Sequence, residues 1–338
     1  MNIARRISPN WWRAGEYDTY RGMRLPRYVV VLAALLVAAC QSGGEDPAAQ
    51  GGPPPTCQIA RAVDLPARLV EGHILVPAAI NDIPVQLEVD PGTMKTMLTP
   101  EGVARLNLHT DPLRTTTIHG VGGTAVTYNS SIQSLRLGDK EWMWSVMPTA
   151  RLPTTYHEEP PVVGVLGADR LSEFDVELDL PRQRMTLWSV TNCQGDFVPW
   201  QAPHAALPLA RYPPRRMVTP VSIDGHPVMA LIEWGSPATT LTTAAAERIG
   251  VSAAAMDQDK SGFSRGVDQN LIPFIQHRFD ELAIGPFRFH HVILLVAPLE
   301  VRNADMLLGA NFFSRRHVWL SYATEQLFVQ RGPDAAEP

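Results

Sequence analysis

Two tandem all-β lobes are the fold that this sequence predicts, and three observations predict them. The first is an internal duplication. Ile80-Asn81-Asp82-Ile83-Pro84-Val85 and then Leu87-Glu88-Val89-Asp90-Pro91-Gly92-Thr93 return as Ile223-Asp224-Gly225-His226-Pro227-Val228 and then Ala230-Leu231-Ile232-Glu233-Trp234-Gly235-Ser236. The offset is 143 residues (233 − 90), and Thr96 with Thr239 and Thr99 with Thr242 keep it. The second is a later echo, Val165-Leu166-Gly167-Ala168-Asp169 against Leu307-Leu308-Gly309-Ala310-Asn311, at an offset of 142 (309 − 167) shared by Ser172 with Ser314, Val176 with Val318 and Leu178 with Leu320. A drift of one residue over that length marks two copies of one unit. The third is composition: 30 prolines among 338 residues favour strands and loops over long helices.

Taken in order, Ile74 to Val76 and Pro84 to Val89 are rich in Val, Ile and Leu and flank the turn residues Asn81-Asp82, which predicts a β-hairpin. Its second strand runs into Asp90-Pro91-Gly92. Proline has no N–H for a ladder and glycine permits a tight turn, so the strand stops and leaves the Asp90 carboxylate at its tip. A short helix is predicted over Pro100 to Leu108, strands at Thr124 to Tyr128, Ile132 to Leu137 and Trp142 to Val146, and a closing hairpin of Asp175 to Leu180 with Arg184 to Trp188. The second copy repeats the pattern with strands at Val218 to Ile223, Val228 to Ile232, Glu281 to Ile284, Phe287 to Val296, Val318 to Tyr322 and Leu327 to Val329. The expected organisation is an N-terminal extension and signal over 1–40, a tether over 41–57, a first lobe over 58–193, a linker over 194–216, a second lobe over 217–331 and a tail over 332–338.

Hydrophobic residues make up 45% of the chain and the formal net charge is −5, with no basic stripe, so a nucleic-acid partner has no electrostatic footing. Arg24 and Arg27 precede an apolar run from Tyr28 to Ala39 that is short for a bilayer span and suits an export signal. The run ends in Val37-Ala38-Ala39-Cys40, which resembles a bacterial lipobox and implies lipidation of Cys40, a membrane anchor and residence in the cell envelope. The residues before Met23 fit neither signal nor lobe; either Met23 is the start or Met1 to Gly22 overhang into the cytoplasm. Gln41 to Pro55, rich in Gly and Pro, reads as a flexible tether. With Cys40 lipidated, Cys57 and Cys193 remain, and an oxidising envelope favours a disulfide between them.

The hairpin ending in Asp-x-Gly-Thr/Ser, the glycine-rich Gly120-Val121-Gly122-Gly123 about thirty residues on, and the apolar-apolar-Gly element Val165-Leu166-Gly167 together resemble the retropepsin-like aspartic peptidases. The resemblance covers about residues 60 to 190 and again 208 to 331, and is strongest to bacterial secreted proteins with two such lobes in one chain. It implies two facing lobes around a cleft, with Asp90 and Glu233 as the catalytic pair sharing one proton and activating a water. Like charges so close cannot both ionise, which makes one group the acid and the other the base. The resemblance further implies that Gly92 and Gly235 approach the carboxylates, that the Thr93 and Ser236 hydroxyls bond their outer oxygens, and that Gly120 to Gly123 form a mobile flap tip. No cofactor is implied.

The chain departs from the family pattern in two ways. Pro91 and Trp234 stand where the family carries a threonine that locks the lobes together, and Glu233 extends its carboxyl by about 1.5 Å relative to aspartate. Trp234 either pushes the strand tips apart or walls the cleft with an aromatic peptide-binding surface. Two functions follow: an aspartic-type endopeptidase of the cell envelope, or a pseudo-peptidase that binds extended peptides by strand addition. The linker is long enough for the lobes to pair within one chain, so a monomer acting on a peptide or protein substrate is expected. His119 and the His290-His291 pair lack partners at metal-ligand spacing and read as flap or strand residues, so no metal is expected. Asp169, Asp175, Asn311 and His317 read as structural caps or surface.

Overall fold

The hairpins form where turn chemistry demands them. Asn81 and Asp82 both hold positive φ (51° and 63°), and Asp224-Gly225 do the same in the second copy (48° and 79°). Such turns match the twist of two adjoining strands, and Asn, Asp and Gly tolerate them best. They join His73–Ile80 to Ile83–Val89 and, in the repeat, Arg216–Ile223 to His226–Ile232. The computed structural model describes residues 56–120, 123–152, 156–212, 215–266 and 268–330. Cys40, the apolar run before it and the tether as far as residue 55 lie outside these residues. Among the described residues no helix is long and apolar enough to cross a membrane.

Each hairpin's second strand is held on its far side by a parallel strand. Val89 lies beside Leu166 of Val162–Leu166, and Ile232 beside Leu308 of Met306–Leu308. Both turns that follow are tied in the same way: Asp169 accepts from the Thr96 amide and hydroxyl, both at 2.7 Å, and Asn311 accepts from those of Thr239 at 3.0 and 2.8 Å. The threonines in turn accept from the Gly167 and Gly309 amides. Asp169 and Asn311 are structural caps. Thr99 and Thr242 cap the short helices Pro100–Arg105 and Thr243–Arg248 through the Gly102 and Ala245 amides, so the repeat extends to the caps.

The lobes share a backbone-bonded seam. A six-stranded sheet runs Gln58–Pro66, Arg184–Thr191, Asp175–Asp179, His317–Ser321, Gln326–Gln330, His204–Pro208, and its central pair, Val176↔Leu320 and Leu178↔Val318, joins one copy to the other. Val176, Leu178, Val318 and Leu320 face a core continuous through both lobes. The opposite face carries Trp319 and Phe328 under Phe197, Val198 and Trp200. Glu177 accepts from Trp188 Nε1, Trp200 Nε1 and His317 Nε2 at 2.8 to 2.9 Å. Although burial opposes its charge, these donors hold its pKa below the ordinary carboxylate value.

The segment 194–216 therefore differs from a simple linker. Its aromatic residues cover the seam, His204–Pro208 extends the sheet, and Ala210–Tyr212 pairs with Arg216–Ile223. Its alternating Ala205 and Leu207 are buried, the period-two pattern of a half-buried strand. Cys57 and Cys193 are joined by a disulfide across the antiparallel strands that pair Gln58 with Thr191. Asp175, at one end of the seam, is buried and accepts from Trp319 Nε1 and the Ala323 amide; burial raises its pKa above the usual value.

Each lobe also carries a hairpin of its own beyond these strands. In the first lobe the hairpin is His109–Gly120 with Gly123–Leu137; in the second it is Lys260–Arg265 with Leu271–Arg278. Strands predicted separately over Thr124 to Tyr128 and Ile132 to Leu137 are one continuous strand. The strand predicted over Phe287 to Val296 is instead two, Phe287–His290 and Ile293–Ala297, broken at His291 with φ 56°.

Candidate active site

The chain delivers one carboxyl from each lobe to the same place. The Asp90 amide bonds the Leu166 carbonyl at 3.0 Å and the Glu233 amide bonds the Leu308 carbonyl at 3.1 Å, so the last ladder bond of each hairpin fixes where its acid emerges. Asp90 is buried, and its carboxylate accepts from the Gly92 amide (2.9 Å) and the Thr93 hydroxyl (2.7 Å). Across the lobes the contacts are reciprocal. A Cβ on Gly235 would lie 2.7 Å from Asp90 Oδ2, and one on Gly92 would lie 1.9 Å from Glu233 Oε2. Any side chain at either glycine would drive the carboxyls out, so the two tips meet face to face.

Glu233 opens in part towards solvent, yet protein surrounds its carboxyl closely enough that burial is the largest influence on it. Burial, then the Asp90 charge and a hydrogen bond with Asp90, hold its pKa well above the ordinary carboxylate value, while the Arg216 charge pulls the other way. The longer Glu233 side chain brings its carboxyl over Gly92. Arg216, the first residue of the strand Arg216–Ile223, extends into the other lobe and donates from Nε to the Gly92 carbonyl at 2.9 Å.

A sequence profile described as aspartyl protease matches the chain twice, over residues 76–169 and 219–312, and the two matches span more than half of it. The chain belongs to the aspartyl protease family. The crystal structure of Basic 7S globulin from soybean is similar at 13% sequence identity and a TM-score of 0.45, covering 82% of this chain and 97% of that one. No curated protein sequence matches.

Within this aspartyl protease frame several expected contacts are differently made. Thr93 bonds Asp90, but the Ser236 hydroxyl donates to the Ala238 carbonyl at 2.8 Å and so does not serve Glu233. The longer Glu233 side chain carries its carboxyl beyond the local serine. Trp234 neither separates the tips nor walls the cleft. It is fully buried in the common core, packed edge-on against Phe313 at 5.7 Å, because the residue after the strand tip points away from the carboxyl and into the lobe. Pro91 is buried at the corresponding place in the first lobe.

Gly120 and Gly123 stand at the tip of the first-lobe hairpin, and Val121 and Gly122 lie outside the described residues. A Cβ on Gly123 would lie 2.7 Å from Asp268 Oδ2, so this tip reaches the turn of the second hairpin. His119 bonds Thr124 within the same hairpin.

Sequence reading missed the second hairpin, Arg216, and a buried group beside the pair. Glu88, two residues before Asp90 and on the same face of its strand, takes His73 Nδ1 at 2.9 Å and the Tyr156 hydroxyl at 2.7 Å. Its counterpart by the repeat is Leu231, which packs with Val218, Ile272 and Leu307. A Glu on a strand whose other residues, Gln86 aside, are apolar was the available signal. Among the described residues no cluster of His, Cys, Asp or Glu is arranged to hold a metal ion.

Proposed function

We propose that the chain is an aspartic-type endopeptidase that cleaves peptides or proteins with the Asp90 and Glu233 carboxyls acting as one acid–base pair. The reading rests on one observation above all, the reciprocal seating of each carboxyl against the opposite lobe's glycine. Family membership supports it. Glu233, whose pKa is the raised one of the pair, is the group suited to carry the shared proton, and Asp90 is the base.

A water between the two gives a proton to Asp90 as its oxygen attacks the peptide carbonyl carbon, while Glu233 passes its proton to the carbonyl oxygen. The gem-diol then collapses. The C–N bond breaks, the leaving nitrogen takes the proton from Asp90, and a hydroxyl proton returns to Glu233. The burial of Trp234 supports this reading over a pure binding module, since it removes the aromatic surface on which that alternative relied.

The test is cleavage of a mixed peptide library from about pH 3 to 8, the span over which such pairs titrate, with products sequenced. Internal cuts by the wild-type chain that disappear in Asp90→Asn support the proposal. Saturable binding without any cut at any pH would overturn it and leave a pseudo-peptidase.

The sequence before residue 56 supports placing this activity in the cell envelope, tethered through a lipidated Cys40, and the seam that pairs the two lobes within one chain supports a monomer. Cys40→Ser should then move the protein from the membrane to the soluble fraction. An unchanged distribution would remove the anchor.

A further inference from the structure

Both lobes lack the hydroxyl that would tie one strand tip to the other, since Pro91 and Trp234 occupy those positions and Trp234 is committed to the core. Something else must hold the two acids in register. Arg216 is the side chain placed to do so: it rises from the first residue of a second-lobe strand and its Nε bonds the carbonyl of first-lobe Gly92, the residue on which Glu233 rests. The tie is one-sided. At the 143-residue offset the counterpart of Arg216 is His73, which turns instead to Glu88 inside its own lobe.

We propose that Arg216 is a positioning residue for the carboxyl pair, fixing the Gly92 turn against Glu233 across the lobe boundary and presenting a cation to the pair. This deepens the endopeptidase reading and rests on it for its catalytic meaning. The geometry separates the two parts of the role. A planar guanidinium can hold a carbonyl through Nε while its delocalised charge is felt by a neighbouring carboxyl, which lysine reproduces only as a point charge and glutamine not at all. The charged or titratable groups that act on Glu233 are Asp90 at the facing tip, Arg216, and Glu88 with His73 and Tyr156 packed on it. Arg216 is the cation whose charge opposes the other influences there.

The experiment compares Arg216→Gln, Arg216→Lys and, as a control for surface charge, Arg215→Gln, since Arg215 is exposed. The first readout needs no substrate: the carboxyl titration of Glu233, followed by carbon-13 resonance and identified by its loss in Glu233→Gln. Arg216→Gln should move that titration to higher pH, because a cation that favoured the anion is gone. Arg216→Lys should keep it near the wild-type position, and Arg215→Gln should leave it alone.

The second readout is cleavage. Loss of the tie lets the pair drift, and kcat should fall roughly a hundredfold in both Arg216 variants with KM little changed. A Glu233 titration in Arg216→Gln that matches Arg215→Gln overturns the proposal. Should Arg216→Gln fail to fold, Arg216→Lys decides it, since wild-type kcat in that variant overturns the positioning role. Absence of cleavage by the wild-type chain would defeat the endopeptidase reading while leaving the titration to judge Arg216.

Discussion

Replacing Gly92 by alanine should silence the carboxyl pair and leave the fold standing. A Cβ there would lie 1.9 Å from Glu233 Oε2 and 2.5 Å from its Cδ, whereas ordinary contact begins near 3.4 Å. The carboxyl must therefore retreat by about 1.5 Å (3.4 − 1.9). Gly92 does not hold positive φ, so alanine suits its backbone and the whole effect falls on the far end of a flexible side chain. A misplacement near 1 Å costs on the order of a hundredfold in rate, so kcat should drop by at least that factor.

Gly235→Ala makes the contrast. Its Cβ would meet Asp90 Oδ2 at 2.7 Å and Cγ at 2.9 Å, and Asp90 is short and pinned by Gly92 and Thr93. Here the strain has nowhere to go, and thermal stability should fall along with activity. Steady-state cleavage of a defined peptide, with a thermal scan of each variant, measures both. A Gly92→Ala chain that cleaves at the wild-type rate would refute the contact and the meeting of the two tips.

Three further outcomes are expected. Trp234→Ala should cost about 3 to 5 kcal/mol in denaturant unfolding, as for a fully buried aromatic, and should reach peptide binding only through lost fold; a stable variant with weakened affinity would place the ring in the cleft after all. Cys193→Ser should lower stability by about 4 to 5 kcal/mol through release of a loop closed over 136 residues, and equal unfolding midpoints for mutant and wild type would contradict it. Glu233→Gln should gain stability over wild type as pH rises. The folded carboxyl's pKa is raised, so the folded state holds the proton more tightly; its contribution is fully present below the unfolded pKa and is lost as pH climbs through the folded one, a loss that glutamine does not share. Unfolding free energies of the two proteins that stay parallel from acid to neutral pH would contradict the raised pKa.

The parts of the fold that repeat were legible in the sequence because local chemistry writes them twice. The Asn81-Asp82 and Asp224-Gly225 turns, the strand ends at Asp90 and Glu233, and the Thr96 and Thr239 ties all follow from residue types at fixed offsets. Arg216 escaped because its bond joins residues 124 apart and its repeat partner is a histidine with another task, so the duplication pointed away from it. The second hairpin escaped because Lys260–Arg265 holds a single large apolar residue, Phe263, and shows no alternation. Trp234 was misplaced for a different reason. Reading it by family position suggested the cleft, while strand alternation beside an inward Ile232 already directed it to the core. The aromatic cover over the seam, from Phe197 to Trp200, depends on a tertiary partner that proline-punctuated sequence does not announce.

The central claim is that two lobes bring Asp90 and Glu233 into one coupled acid–base pair, and the most direct measurement is the titration of the Glu233 carboxyl in wild-type and Asp90→Asn chains. After burial, the Asp90 charge is the largest influence raising the Glu233 pKa. Removing that charge should move the Glu233 titration to lower pH, while burial keeps it above the ordinary carboxylate range. A titration unmoved by Asp90→Asn in a folded chain would contradict the pairing.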